Sequence, residues 1–403
     1  MTIDIRLLGP EQHAEFVQPL LTAFGLPVDN ERINHSQRVE ELTHRFAAYE
    51  GDSVTGCAGT FSFDMTTPGS IAPVAGLTLV GVMPTHRRRG IMTALVRRHL
   101  DEARTEGKAF SALWASEAAI YQRFGYGLGS IGCAASIERH HTTFWPELPR
   151  IGRVRIVTEA EALDLFPGIH DRARPGQPGM LSRSTSWWEH RRLVDFEKSG
   201  PPLQRAVLEI DGQPEAYALY RNQHRWESTF IPTGNLQVIE AIGTSSLSTR
   251  LLWRYLFDID LSQRIEAFHL PPDHPLLYAL TEPRRLRLTQ YDGLWVRILD
   301  IPRAFSARSF ASHDTVIFDV SDPVYTANTG RFRLDGAAGL CTRTERAATL
   351  KLDIATLSTA WMGAATFRRL ADAGRVEQLQ EGAIDRADAL FHSSRAPWCP
   401  ETF

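Results

Sequence analysis

The stretch GLTLVGVMPTHRRRGIMTALVRRHL, residues 76–100, constrains this chain more than any other. The β-branched, apolar run at 77–82 reads as a buried strand. Pro84 ends it, and from Gly90 onward Ile91, Met92, Leu95, Val96 and Leu100 follow a helical period. Three arginines and a glycine therefore occupy the turn where a strand feeds a helix N-terminus. Backbone N–H groups are unpaired at such a turn, and the helix dipole favours an anion there. Gly90 removes a Cβ where something must approach the backbone closely. Two readings fit the turn taken alone: a cradle for a pyrophosphate, and a solvated basic turn.

A chain of 403 residues exceeds one ordinary core, so two or three domains are expected. With 43% hydrophobic residues, 23% charged residues and a net charge of −3, it reads as a soluble globular protein. The balance gives no support to nucleic-acid binding, which asks for a basic domain. Cys57, Cys133, Cys341 and Cys399 are scattered without CxxC spacing. They fit neither a disulfide framework nor a zinc site, so no metal is expected and a reducing cytoplasm is. The N-terminal MTIDIRLLGPEQHAEF carries acidic residues early and no signal-like apolar segment. No run of 18 apolar residues occurs, so no membrane span is expected.

The chain divides into three segments. Residues 1–150 read as mixed α/β: strands at 3–8, 45–49, 54–64, 77–82, 110–114 and 131–139, with helices at 10–24 and 90–106. The proline-containing FWPELPRIGR is a plausible linker. Residues 151–290 start over: RVRIVTEAEALDLFPGIHDRAR repeats the strand, acidic cap and amphipathic helix of the N-terminus. RAVLEIDGQPEAYALYR is a hairpin with Asp-Gly at its turn. A helix at 246–257 and a strand at 264–269 follow, but EAIGTSSLSTRLLWRY carries no basic glycine turn. This segment is a degenerate copy of the first, and without the cradle it should not bind the same ligand. Residues 291–403 differ: strands at 315–320, 330–334 and 347–353, helices at 354–362 and 364–373, then the tail SSRAPWCPETF. Aromatic and cysteine residues are unusual in a fraying end, so the tail is expected to dock on the body.

About twenty residues after the basic turn comes ALWASEAAIYQRFGYGLGS, a strand, a small helix with Tyr121, and the aromatic-Gly turn Phe124-Gly125-Tyr126-Gly127. The ordered pair resembles the core of the GCN5-related N-acetyltransferases. PTHRRRG, ASE, IYQRFGYG and QYDGLWVRILDIPRA are similar, more narrowly, to the enhanced intracellular survival family of aminoglycoside acetyltransferases. The likeness spans essentially the whole chain. It implies tandem α/β (α+β) acetyltransferase domains, the first catalytic and the second degenerate, followed by a sterol-carrier-like domain. It also implies acetyl-coenzyme A as co-substrate, an amine-rich acceptor acetylated at several positions, and a symmetric homo-oligomer, hexameric or smaller.

By that resemblance, Val80, Gly81 and Val82 lie beside the pantetheine arm and pair with it as an added strand would. Arg88, Arg89, Gly90, Ile91, Met92 and Thr93 wrap the pyrophosphate. Met92 stands where the wider superfamily prefers Gly or Ala. Ser116 and Glu117 match positions near the cofactor, and Ser116 could equally cap the helix that carries Tyr121. Tyr121 matches the general acid, since a phenol with a pKa near ~10 can protonate a thiolate whose thiol has one near ~8.5. The base is implied to be the α-carboxylate of Phe403. Glu401 is a second tail carboxylate, available to a polycation; Thr402 stands where the family has an acid. Phe24 matches an apolar pocket position, and Leu26 replaces an expected Asp. Asp29, Glu31, Glu40 and Glu41 are further acidic candidates, or solvated helix faces.

Three functions compete: acetylation of aminoglycoside-like polyamines, acetylation of protein lysines by the same chemistry, and a lipid- or sterol-binding module with vestigial acetyltransferase domains. The intact turn and Tyr121 speak against the last. An apolar tunnel in the third segment would speak for it.

Overall fold

The computed structural model describes residues 3–39, 41–195 and 200–403. The chain opens with β1 (Asp4–Leu7), β2 (His44–Glu50), β3 (Ser53–Thr67), β4 (Ser70–Val82), β5 (Phe110–Trp114) and the short β6 (Gly127–Leu128). It continues with β7 (Ile131–Glu138), β8 (Arg153–Ile156), β9 (Gln204–Ile210), β10 (Gln213–Gln223), β11 (Gly234–Gly243), β12 (Ser262–Leu270) and β13 (Arg287–Asp292). Then come β14 (Leu294–Ile298), β15 (Thr315–Ser321), β16 (Gly330–Asp335), β17 (Leu340–Arg343), β18 (Leu350–Asp353) and β19 (Val376–Gln378).

Among the described residues the strands form three sheets, in the orders β1-β2-β3-β4-β5-β14-β6, β13-β7-β12-β11-β10-β9-β8, and β17-β16-β15-β18-β19. Sheet membership departs from the expected segments at two strands. The strand expected to close the first segment, β7, pairs instead with β12 and β13. The third segment's first strand, β14, inserts between β5 and β6. One compact unit accordingly holds the chain up to Ser130, Gly293–Ser394 and Glu401–Phe403; the other holds Ile131–Asp292 and Arg395–Pro400. The expected boundary at 150 is thus moved to 130. The physical reason lies in β14, whose five residues are all buried: a strand buried on both faces takes a partner on each edge, here β5 and β6, whatever its place in the chain.

In the first unit, helix Ile91–Thr105 lays Ile91, Leu95, Val96 and Leu100 on the sheet, at the helical period read from the sequence. The sterol-carrier-like segment belongs to the same unit. Its helix Ile354–Met362 is buried at all nine positions, as expected of a helix with protein on every side. There Trp361 meets Phe110 at 4.5 Å between ring centroids, and Ser358 Oγ accepts from Ile298 N at 3.1 Å. Arg297 of β14 is fully buried and doubly bonded to Asp322, at 2.9 and 2.8 Å. The third sheet's interior is filled by Phe305, Phe310, Phe318, Phe367 and Phe391 in mutual ring contact. Side chains, not an apolar tunnel, fill that cluster.

In the second unit the Asp-Gly hairpin forms as expected. Asp211 and Gly212 both have positive φ, +51° and +75°, joining β9 to β10, the signature of a tight hairpin turn. Ser245 caps helix Ser246–Asp258.

Candidate active site

β4 and β5 run parallel but pair only from Val74 to Gly76, against Phe110 to Ala112. Beyond Gly76 the two strands part, so among the described residues the β5-facing edge of 77–82 has no strand partner. On its other edge β4 carries a bulge against β3, between the Gly59–Thr78 and Cys57–Gly81 pairs, with Leu79 at φ +52°. Bulges of this kind bend a strand and cluster beside functional sites. The result is a cleft with exposed backbone donors and acceptors along one wall.

A cavity of about 650 Å³ opens there. Val80, Gly81 and Val82 line one side; Arg88, Gly90, Ile91, Met92 and Thr93 line the turn and first helical residues; Ser116, Glu117 and Tyr121 come from after β5. Phe24, half exposed at the end of helix His13–Ala23, completes it. The cleft thus gathers twelve of the residues singled out from the sequence. Gly81 has a second duty, because a Cβ there would lie 2.8 Å from Leu20 Cα. Its absence lets helix His13–Ala23 approach the strand.

Gly90 sits at φ +85° and is the N-cap of helix Ile91–Thr105, with no side-chain cap. A Cβ there would meet nothing nearer than Ile3 Cδ1 at 3.7 Å. Backbone conformation, not crowding, is what asks for glycine. The amides at the start of the helix have no side-chain cap, an arrangement that favours an anion. Arg88 also has positive φ, +62°, a strain that bulky residues bear mainly at functional turns. It has no ion-pair or hydrogen-bond partner among the described residues.

Arg89 departs from its expected place. Its guanidinium pairs with Glu50, Nη1 to Oε2 at 3.2 Å, and it is not among the cavity's lining residues. His86 Nε2 also reaches Glu50 Oε2, at 2.7 Å. The hydrogen bonds of Arg89 and then His86 hold the Glu50 carboxyl below the usual range. Glu50 thus takes up one arginine of the basic turn and leaves Arg88 to the cleft. Ser116 does not act as the cap: Glu117 is the N-cap of the 3₁₀ turn Ala118–Ile120, without a side-chain bond.

Tyr121 lies between two 3₁₀ turns and is 6% exposed. Burial, then the charge of Glu117, pushes its phenol up to about 12. Its ring meets Tyr126 edge-on at 6.0 Å. Tyr126 ends a buried hydrogen-bonded chain that motif reading passes over. Its Oη lies 2.6 Å from Ser111 Oγ, which lies 2.8 Å from His99 Nε2; His99 Nδ1 is 2.7 Å from Thr60 Oγ1. Burial and then Lys108 lower His99 to about 3, so it stays neutral. His99 follows Leu95 and Val96 on an apolar helix face, and that placement was the available signal. Reading of the motif also missed His86, Arg87, Ile120 and Arg123 as lining residues; His86 and Arg87 were legible as part of the same basic turn.

The tail's end packs on the first sheet. Phe403 packs its ring on Phe61 and Phe63 of β3, at 6.3 and 5.1 Å between centroids. A Cβ on Gly76 would lie 3.0 Å from Phe403 Cε2, so the last residue sits where β4 and β5 part. Glu401 is completely buried, which corrects the expectation of an open carboxylate. Asp29, Glu31 and Glu41 are exposed, and Asp29 Oδ1 accepts from Arg32 N at 2.8 Å. Glu40 lies outside the described residues. No helix among the described residues is long and apolar enough to cross a membrane.

Comparison with known proteins agrees with this geometry. Residues 4–129 and 179–298 each match a family model of acetyltransferase (GNAT) domains, and residues 301–400 match a sterol carrier protein domain. The chain is 36% identical to an uncharacterised N-acetyltransferase of Streptomyces avermitilis, over the full length of both. It is 33% identical to N-acetyltransferase Eis of Mycobacterium tuberculosis, covering 87% of this chain and 86% of that one. The crystal structure of Eis1 from Mycobacterium abscessus superposes with a TM-score of 0.88 at 29% identity, with both chains fully covered. With two acetyltransferase domain matches, a sterol carrier domain match and an Eis relative 33% identical over most of both chains, the chain belongs to the Eis-type GNAT N-acetyltransferases.

Proposed function

We propose that this enzyme transfers an acetyl group from acetyl-coenzyme A to amines of small, amine-rich molecules, aminoglycosides foremost, at more than one position of the same acceptor. One observation carries the reading: the β4–β5 cleft brings the uncapped helix start at Gly90 and the buried Tyr121 into one cavity. The residues fit the co-substrate. The unpaired edge of β4 offers backbone groups to an amide-bearing arm, and the amides from Gly90 to Thr93, with Arg88, suit a pyrophosphate. When bound, acetyl-coenzyme A supplies the acetyl group as a thioester.

Tyr121 holds its proton at Oη through the working pH range, because its pKa is pushed up to about 12. That hydroxyl is the donor to the departing sulfur. The Phe403 α-carboxylate takes the proton from the acceptor amine, with the ring fixed on Phe61 and Phe63 so that the carboxylate is held in place. Phe24 gives the acceptor an apolar wall. With Glu401 buried, its part is to support the tail. The active form is a symmetric homo-oligomer, a hexamer or smaller, in the cytoplasm.

A thiol-release assay with acetyl-coenzyme A tests the reading against tobramycin, kanamycin, spermidine and a lysine peptide, in wild type and Tyr121→Phe. The expected outcome is turnover with the aminoglycosides and a loss of about 10² or more in kcat for the variant, with co-substrate affinity kept. Turnover confined to the lysine peptide would favour a protein-lysine acetyltransferase. A variant as fast as wild type would return Tyr121 to packing.

A further inference from the structure

The second unit carries a cluster that the acetyltransferase chemistry does not use. β7 ends at Glu138 and runs directly into the 3₁₀ turn Arg139–His141. Glu138 is the N-cap of that turn, three residues before His141. Glu138 Oε2 lies 3.5 Å from His140 Nε2 and 3.9 Å from His141 Nε2. One ligand atom from each of the three residues lies within 4.8 Å of the other two.

We propose that Glu138, His140 and His141 bind a transition-metal dication, zinc foremost. Metal–nitrogen bonds of about 2.0–2.1 Å put neighbouring ligands of a tetrahedral ion roughly 3.4 Å apart. The two distances to Glu138 Oε2 are already near that spacing. A carboxylate suits many dications, but two imidazoles are donors that transition metals take and calcium and magnesium do not.

The surroundings of the cluster support it. His141 Nδ1 is 2.7 Å from Glu282 Oε1. With the proton on Nδ1, that bond leaves the Nε2 lone pair facing Glu138, the arrangement in which a second carboxylate orients a metal-bound histidine. The His141 side chain is 12% exposed and that of His140 is 67% exposed, so one ligand is anchored and the other borders solvent. Arg264 Nη2 lies 3.4 Å from Glu138 Oε1, and Arg287 Nη2 lies 3.9 Å from it. Both act on the oxygen that does not face the histidines, and the net effect is to hold the carboxylate in place. Cysteine spacing could not reveal this site, because it contains no cysteine.

The test is calorimetric titration of the full, untagged chain with zinc chloride after chelator treatment and dialysis. One equivalent should bind at micromolar or tighter affinity. His141→Ala and Glu138→Gln should each weaken it by about tenfold or more, as should Glu282→Gln, which removes only the orienting carboxylate. Matched melting temperatures separate lost ligands from lost fold, and Glu282→Gln, at an exposed position, keeps the test open if His141→Ala unfolds. No binding by wild type, or binding that all three variants retain, overturns the proposal. Acetyl transfer is read alongside and should be unchanged in the variants.

Discussion

The two acetyltransferase-like sheets use the same strand–turn–helix device and finish it in opposite ways. Before helix Ile91–Thr105 stands Gly90, in a left-handed conformation and without a side-chain cap. Before helix Ser246–Asp258 stands Ser245, whose Oγ accepts from Ser248 N at 3.1 Å while Ser248 Oγ accepts from Ser245 N at 3.0 Å. The second helix satisfies orphan donors of its own with a reciprocal capping box; the first leaves them without a side-chain cap.

The clefts differ in the same sense. β11 pairs with β12 only from Gly234 to Val238, much as β4 loses β5 beyond Gly76. Past that point the second sheet carries Glu240, bonded to Arg183 at 2.9 and 2.6 Å and to Tyr217 Oη at 2.6 Å. Burial works to raise the Glu240 pKa, but Arg183 and Arg192 outweigh it and hold the carboxyl at about 2. Where one sheet keeps a cavity, the other buries an ion pair. A buried pair of this kind adds little net stability over apolar packing, yet removing one partner would strand the other charge. The lesson is that a fold can be inherited while its binding chemistry is closed off by a few polar side chains.

The largest expected effect tests the first cleft through the chain's end. A short extension after Phe403 turns its carboxylate into an amide and should lower kcat by about 10²-fold or more. Folding should survive, because residues before Glu401 have anchors of their own: Trp398 N donates to Pro178 O at 2.7 Å, Gln177 Nε2 to Ala396 O at 2.6 Å, and Arg192 to Pro400 O at 2.7 Å. Untagged, N-terminally tagged and C-terminally tagged enzymes, matched in melting temperature, make the comparison. Equal rates in all three would exclude the terminal carboxylate as the base.

Gly90→Asp sharpens the contrast between open and capped helix starts. It should raise KM for acetyl-coenzyme A by about tenfold or more, the scale of losing one charge-assisted contact and adding repulsion. Gly90→Ala is the companion variant, since it imposes the φ +85° strain without the charge. If the two variants behave alike, strain rather than anion binding explains the glycine.

The smallest effect belongs to the second sheet. Ser245→Ala removes a cap and should cost about 1 kcal/mol of stability, read by urea unfolding. KM for acetyl-coenzyme A should not move. A change in KM would mean that the second domain is not the closed copy its capping box indicates.

Much of the candidate site was legible because its parts are local. The 77–82 run, the glycine turn and the period of Ile91, Leu95 and Val96 specify a strand, a turn and a helix within 25 residues. The Asp-Gly hairpin was legible for the same reason, since two positive φ values need those residue types. Three things escaped. The pairing of Arg89 with Glu50 joins residues 39 apart. The His99 chain links a helix to two strands and a turn. Glu401 is an acid in a polar-looking tail, and nothing in its neighbours' identities announces complete burial.

What the sequence by itself determined, then, are the elements around the basic turn and the hairpin, the repeat and the chemistry each motif can offer, because periodicity and turn preference act over a few residues. Only the tertiary structure decided which sheet each strand joins. Ile131–Glu138 and Leu294–Ile298 exchange places against their order in the chain, since strand pairing is set by apolar faces meeting across long sequence separations. It also decided that β4 and β5 part at Gly76 and that the ring of Phe403 comes to rest there. A cavity is the space between elements, and no single stretch of residues encodes it.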